Sequence, residues 1–165
     1  MTDQQDPGQD GLQAALEGIV TRAALRNLAE RYAQGVDRRD RDLFLSAFHP
    51  DATLAVHHPS EKEEGINVMQ GHEQIGRVPE FIKVYPKTYH VLGQSTYEVD
   101  GDDATGETYC VAHHLSDLDD GSVTDRVMFI RYRDDWTNTP DGWALRLRRL
   151  AVDWIDERPV SHPDA

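Results

Sequence analysis

Cysteine is the scarcest chemistry in this chain, with a single thiol, Cys110, in 165 residues. One thiol excludes an intrachain disulfide and fits a reducing compartment, and Cys110 is expected to act as a small buried hydrophobe. No apolar run approaches the roughly 20 residues that carry a helix across a bilayer. Basic residues are scarce as well: 17 Lys and Arg stand against 30 Asp and Glu, a net charge of −13. Such a surface repels phosphate backbones and anionic lipid, which argues against nucleic-acid and membrane partners. The N-terminal stretch MTDQQDPGQDG lacks the basic and apolar regions of a signal peptide, so a cytoplasmic location is expected. Metal-ligand spacing is missing too. His57–His58 and His113–His114 are adjacent pairs in predicted strands, where neighbours point to opposite faces and do not close on one ion. With no cysteine cluster and no His-x-x-x-His spacing, no metal site is expected.

What remains is an ordinary globular composition, 38% hydrophobic and 28% charged, at a length that suits one domain. Residues 1–15 read as a disordered acidic arm, 16–156 as the folded domain and 157–165 as a flexible tail. Leu16, Ile19, Val20, Ala23, Leu28, Tyr32 and Val36 recur at three- and four-residue steps, the period of a helix with one buried face. A second helix follows through RDLFLSAF and ends at HPDA, where proline stops it. ATLAVHHP reads as a strand. A third helix is expected from GHEQIGRV towards FIKVYP, broken or kinked at Pro79. From Thr88 onward the pattern turns to four strands, separated by the turn sequences DGDD, DLDDG and NTPDG. In the last strand the apolar face changes phase between Leu147 and Leu150, and one bulge near Arg148 and Arg149 explains it. The class is α+β: about three N-terminal helices packed on the concave face of a curved, mostly antiparallel (mixed) sheet. A bent sheet closed by helices leaves a concave interior, the usual place for a small molecule.

Two residues stand out for chemistry. Asp37 lies beside the core-facing stripe near a helix C-terminus, where the helix dipole disfavours an acid. It is either a solvated surface acid or a carboxylate held to orient a histidine across the pocket. His90 heads the strand KTYHVLGQ and is a packed core residue, a ligand or a base. His113 shares a strand face with Tyr109, Val111 and Leu115, whereas His114 shares one with Cys110 and Ala112. Parity alone does not say which of the two points inward. His58 is a rim or a pocket residue, and His49, before Pro50 at a helix end, has a structural role.

The segments LAERYAQGVDRRDRDLFLSAFHPDA, KTYHVLGQSTYEVDGDDATGETYCVAHH and DGWALRLRRLAVDW resemble a SnoaL-like domain of the nuclear transport factor 2-like superfamily, over roughly residues 15–155. By this resemblance Asp37 and His90 fall where scytalone dehydratase, hexachlorocyclohexane dehydrochlorinase and bile-acid 7α-dehydratase keep a catalytic Asp–His dyad. Tyr32 matches the tyrosine that the bile-acid enzyme pairs with the dyad, and His113 the second histidine of scytalone dehydratase. His58 and Met128 stand where that enzyme has a tyrosine and an asparagine, so scytalone is not the expected substrate. Tyr109 and Val36 join His58 and Met128 as expected pocket residues. The resemblance implies a cofactor-independent lyase or isomerase of the dehydratase type. Its substrate is expected to be a small hydrophobic hydroxy- or keto-compound, polyketide- or steroid-like. A polyketide-type cyclase and a non-catalytic ligand-binding or oligomerising cone are the alternatives. Assembly through the sheet into a homodimer or homotrimer is also implied. The loop at 59–70 is placed near the cone mouth, with its role open.

Overall fold

The N-terminal helical periodicity becomes one long helix, α1 (Pro7–Arg38), in the computed structural model, which describes residues 7–57, 67–118 and 121–161. Its C-terminal half carries the core stripe: Leu25, Leu28, Ala29, Tyr32, Ala33 and Val36 are buried. Leu16, Ile19 and Val20, expected on the same stripe, are exposed. Arg26 ties α1 to the sheet, donating to the carbonyls of Leu92 and Gly93 and to Ser95 Oγ. Residues 7–15, expected within a disordered arm, form the first turns of this helix.

Helix α2 (Arg41–Leu45) starts at Asp40, whose side chain accepts hydrogen bonds from the backbone N–H groups of Asp42 and Leu43. It lies so close to α1 that a Cβ on Gly35 would stand 2.5 Å from the Phe44 backbone. Strands β1 (Phe48–His57) and β2 (Asn67–Gln70) follow. The expected third helix is two short ones, α3 (Gly71–Ile75) and α4 (Val78–Phe81), with a 3-10 turn at Ile82–Val84. Pro79 sits in the first turn of α4, where its missing N–H has no helical partner to lose, so the break falls before it.

Strands β3 (Lys87–Asp100), β4 (Asp103–Asp117), β5 (Val123–Thr139) and β6 (Gly142–Val160) complete an open six-stranded sheet of order β2-β1-β6-β5-β4-β3. β1 and β6 run parallel and every other neighbouring pair is antiparallel, so the sheet is mixed. The flexible tail expected from residue 157 begins inside a paired strand, since Glu157 to Val160 face Arg126 to Val123.

The phase change in β6 has two causes rather than one. The pairing skips Arg146 between Leu145 and Leu147, and skips Asp153 between Val152 and Trp154. The first bulge lets Leu145, Arg148, Leu150 and Val152 all face the helix side of the sheet. The second turns Trp154 to the outer face, where it stacks on Phe129 with ring centroids 4.2 Å apart. The molecule is therefore α+β, an open mixed sheet with its N-terminal helix over one face, as in the nuclear transport factor 2-like cone. The core between them is built of Leu25, Tyr32, Val36, Phe44, Phe48, Leu54, Ile130, Tyr132 and Trp136.

Candidate functional site

Asp37 occupies the last turn of α1, and β3 passes beside it. On β3 the inward positions are Thr88, His90 and Leu92, while Tyr89 and Val91 face out and are exposed. This register delivers three donors to one carboxylate. Asp37 Oδ1 accepts from His90 Nδ1 at 2.7 Å and from Thr88 Oγ1 at 2.9 Å, and Oδ2 accepts from the His90 backbone N–H at 2.9 Å. Burial would raise the Asp37 carboxyl, but the hydrogen bonds and charge of His90, with Thr88, more than offset it. Asp37 is held below the usual carboxylate range and is an anion at neutral pH. An anion only accepts, so the hydrogen of this bond belongs to His90 Nδ1, and Nε2 is the ring nitrogen left to act as a base.

His90 is one wall of a cavity of about 220 Å³. The rest is mostly apolar, with Val36, Leu54, Val56, Ile82, Met128 and Leu150 among the lining side chains, and Tyr32, Tyr85 and His114 as its other polar groups. Tyr32 is buried, and burial pushes its phenol up to about 12 against the pull of Arg148, so it remains a proton donor at neutral pH. Its ring lies 4.3 Å from the Arg148 guanidinium carbon, which is also 4.1 Å from the Tyr132 ring. Arg148 in turn grips Asp134 through two hydrogen bonds of 2.9 and 2.6 Å, and both side chains are fully buried. No group of three His, Cys, Asp or Glu side chains suited to a metal is present among the described residues.

Of the residues singled out from the sequence, Asp37 and His90 meet, and Tyr32, Val36, Met128 and His90 line the cavity. His113 and Tyr109 do not. Both lie on the outer face of β4, where His113 Nδ1 bonds Asp125 Oδ2 at 2.8 Å and Tyr109 borders a separate outer hollow. Their places inside belong to the opposite parity, and His114 is the histidine that enters the cavity. The signal was present in the neighbours: the small apolar Cys110 and Ala112, which share the His114 parity, are buried, whereas Tyr109 on the other parity is exposed. His58 lies outside the described residues, as does most of the loop at 59–70. His49 is in β1 and accepts a hydrogen bond from the Asp51 N–H. Cys110 is buried, as expected of it, and receives the Tyr132 hydroxyl at 3.4 Å.

His114 is 4% exposed, and its ring centroid is 5.7 Å from that of His90 and 4.8 Å from that of Tyr85. Its Nδ1 meets no group at hydrogen-bonding geometry, although the carbonyls of Ala112 and Arg126 favour its cation from nearby. Burial, then repulsion from a charged His90, lowers His114 to about 4, so it is a neutral imidazole at physiological pH. The unfolded chain takes up this proton near pH 6.5 and the folded chain only near 4, so stability falls as pH drops through that window. Between pH 7 and 4.5 the wild type is expected to lose about 2–3 kcal/mol through this group, and His114→Phe is expected to lack that component. Thermal unfolding of both at the two pH values measures it, and equal acid sensitivity would contradict it. The Asp37 contribution, lost only below the usual carboxylate range, lies outside this window.

Residues 18–149 match the family model of the SnoaL-like domain. The uncharacterized protein Rv2910c of Mycobacterium tuberculosis is 27% identical over 141 residues, covering 80% of this chain and 84% of its own. Among solved structures, hexachlorocyclohexane dehydrochlorinase LinA-type3 of Novosphingobium barchaimii superposes with a TM-score of 0.70 at 18% identity. That match covers 89% of this chain and 94% of the other. A scytalone dehydratase-like protein of Novosphingobium aromaticivorans superposes with a TM-score of 0.71 at 16% identity, covering 87% and 91%. At these identities the structural likeness is one of fold. The match to the family spans most of the chain, and the chain belongs to the SnoaL-like domain family of the nuclear transport factor 2-like superfamily.

Proposed function

We propose that the protein is a cofactor-independent lyase or isomerase of the dehydratase type, with His90 as its base. The observation that carries this reading is the 2.7 Å contact of His90 Nδ1 with the Asp37 carboxylate at the wall of an apolar cavity. Asp37 fixes the tautomer and stabilises the imidazolium that forms when Nε2 takes a proton. The proton comes from a carbon next to a carbonyl, and its electron pair forms an enolate. Tyr32 or His114, both neutral, donates a hydrogen bond to the enolate oxygen. A hydroxyl or halide on the next carbon then departs, the hydroxyl leaving as water with a returned proton; return of the proton to a different carbon gives isomerisation. The names of the dehydrochlorinase and the scytalone dehydratase-like protein among the structural neighbours denote eliminations, which supports that reaction class.

The cavity also narrows the substrate. Among the described residues its lining contains no Lys or Arg, which suits an uncharged compound. About 220 Å³ is below the roughly 300–1,000 Å³ usual for ligand pockets, and a one- or two-ring hydroxy-ketone fits better than a steroid. The test is a panel of such compounds with product identification. Loss of water or halide, or a shifted double bond, supports the reading. A ring-closed isomer as sole product indicates a cyclase, and tight binding with no product indicates a ligand-binding cone.

Assembly belongs to the same proposal. Tyr89, Val91, Tyr109 and Trp154 are exposed on the outer sheet face, the last three around a hollow that Val111 and Phe129 also line. A second copy of the chain, in a dimer or trimer, is the partner proposed for this face. Light scattering is expected to give a multiple of the monomer mass, and Trp154→Glu to return it to one. A wild type that stays monomeric at all concentrations rules this out.

A further inference from the structure

Among the described residues Arg39 is the only non-glycine residue with a positive φ, at 57°. It directly follows the last residue of α1, where the left-handed backbone favours glycine because a Cβ crowds the following carbonyl. The chain keeps an arginine there, and both terminal nitrogens of the guanidinium are engaged. Nη1 donates to Thr88 Oγ1 at 2.6 Å and to the carbonyls of Val36 and Asp37 at 2.8 and 3.2 Å. Nη2 donates to the carbonyls of Tyr85 at 2.9 Å and Ile82 at 3.5 Å.

The polarity of these bonds has a consequence for Asp37. A guanidinium has donors and no acceptor, so Thr88 Oγ1 accepts from Arg39 and its single hydrogen is left for Asp37 Oδ1. With Arg39 absent, the Thr88 hydroxyl is free to rotate away and the carboxylate loses a fixed donor. The other end of the same guanidinium holds the segment whose Ile82 and Tyr85 side chains wall the cavity, with the Tyr85 ring against His114.

We propose that Arg39 is a positioning residue that couples the cavity wall at Ile82–Tyr85 to the aim of the Asp37–His90 pair. Arg39 does not line the cavity; it acts through Thr88 and the Val36 and Asp37 carbonyls on one side and the Ile82 and Tyr85 carbonyls on the other. This rests on the reading of His90 as a base, and it adds which groups set that base and through what contact a bound compound pressing on Tyr85 is felt there. A compound too small to engage Ile82 and Tyr85 is then processed with a lower kcat than one that fills the wall.

Two substrate-free readouts test it. Ring ¹⁵N NMR reports which nitrogen of His90 carries the hydrogen, and amide hydrogen exchange reports how firmly residues 82–88 are held. Arg39→Gly deletes the guanidinium while suiting the backbone, and Thr88→Val deletes only the hydroxyl. In the wild type His90 is expected as a single Nδ1–H tautomer. In Arg39→Gly the tautomer is expected to become mixed and exchange at Tyr85 to accelerate about 10-fold or more. In Thr88→Val the His90 signal is expected to change while exchange at Tyr85 stays as in the wild type. Arg39→Lys keeps a charge without the planar fork and is expected to show the same changes in smaller measure, which also serves if the glycine variant does not fold. An unaltered His90 signal in both Arg39 variants overturns the proposal, and so does an equal shift at the outer-face His113, which marks general loosening. If the tautomer responds while no compound is ever turned over, the positioning role stands and the lyase reading fails.

Discussion

Turnover in His90→Ala is expected to fall about 10²–10⁴-fold, the contribution of one positioned base, with the protein still folded. The side chain is 6% exposed and makes one polar contact, to Asp37, so its removal empties part of a cavity wall without cutting a core network. Asp37→Asn is the sharper partner to this variant. The amide keeps the shape of the carboxylate, but its NH₂ is a donor and its oxygen can serve only one of the two Oδ positions. An NH₂ facing His90 Nδ1 forces the ring hydrogen onto Nε2, the nitrogen that has to accept the substrate proton. Asp37→Asn is therefore expected to lose activity on the scale of His90→Ala with less change in shape. Steady-state kinetics on any compound the panel yields, with circular dichroism as the fold control, reads both. Activity in His90→Ala within a few-fold of wild type would remove His90 from the mechanism.

The largest effect on stability is expected at the buried ion pair. Asp134 and Arg148 are both fully buried, paired through two hydrogen bonds, with the guanidinium between the Tyr32 and Tyr132 rings. Burial pushes the Asp134 carboxyl up against the pull of Arg148, while the charge of Asp134 holds the Arg148 cation against the cost of burial. Arg148 Nη1 is already without a hydrogen-bond partner, so the cation has little else to rely on. Asp134→Ala leaves it uncompensated, at a cost of about 3–5 kcal/mol. For a domain of this length that corresponds to a fall in Tm of roughly 6–20 °C. Replacing both partners by apolar residues, Asp134→Leu with Arg148→Met, is expected to recover most of the loss, because no buried charge remains. Calorimetric melting of the two variants decides. A single variant that melts with the wild type, or a double variant no better than the single, contradicts this account of the core.

Much of the fold was legible because its signals are local. The four C-terminal strands alternate, their turns carry Gly, Asp and Pro, and Tyr32 and Val36 fall on one helical stripe. What the sequence did not show depends on which side of an element is covered. Leu16, Ile19 and Val20 continue the helical period, yet burial of α1 begins at Leu25, because period describes a face and not the length of sheet beneath it. His113 and His114 are equivalent to a parity argument until the register of β3 on β4 is known. That register sets Thr88 opposite His114 and His90 opposite Ala112, so the inward face of β4 is the one with the small residues. In β6, one phase change in the hydrophobic pattern concealed two bulges, at Arg146 and Asp153, because the second acts on a strand end that is mostly exposed. The meeting of Asp37 with His90 was an expectation from resemblance. The local pattern of GVDRRD alone favours a surface acid. The role of Thr88 and Arg39 was out of reach, since it depends on a left-handed arginine and on hydroxyl polarity.

Proton removal by His90 is the central claim, and exchange of a carbon-bound hydrogen with solvent tests it more directly than any product. A panel ketone that binds the cavity, incubated with the wild type in deuterated water, is expected to gain deuterium next to its carbonyl, whether or not a leaving group is present. With His90→Ala the gain is expected to drop to the background rate while the ketone still binds. Equal exchange in the two proteins, or binding by the wild type with no exchange from any ketone, would contradict the account.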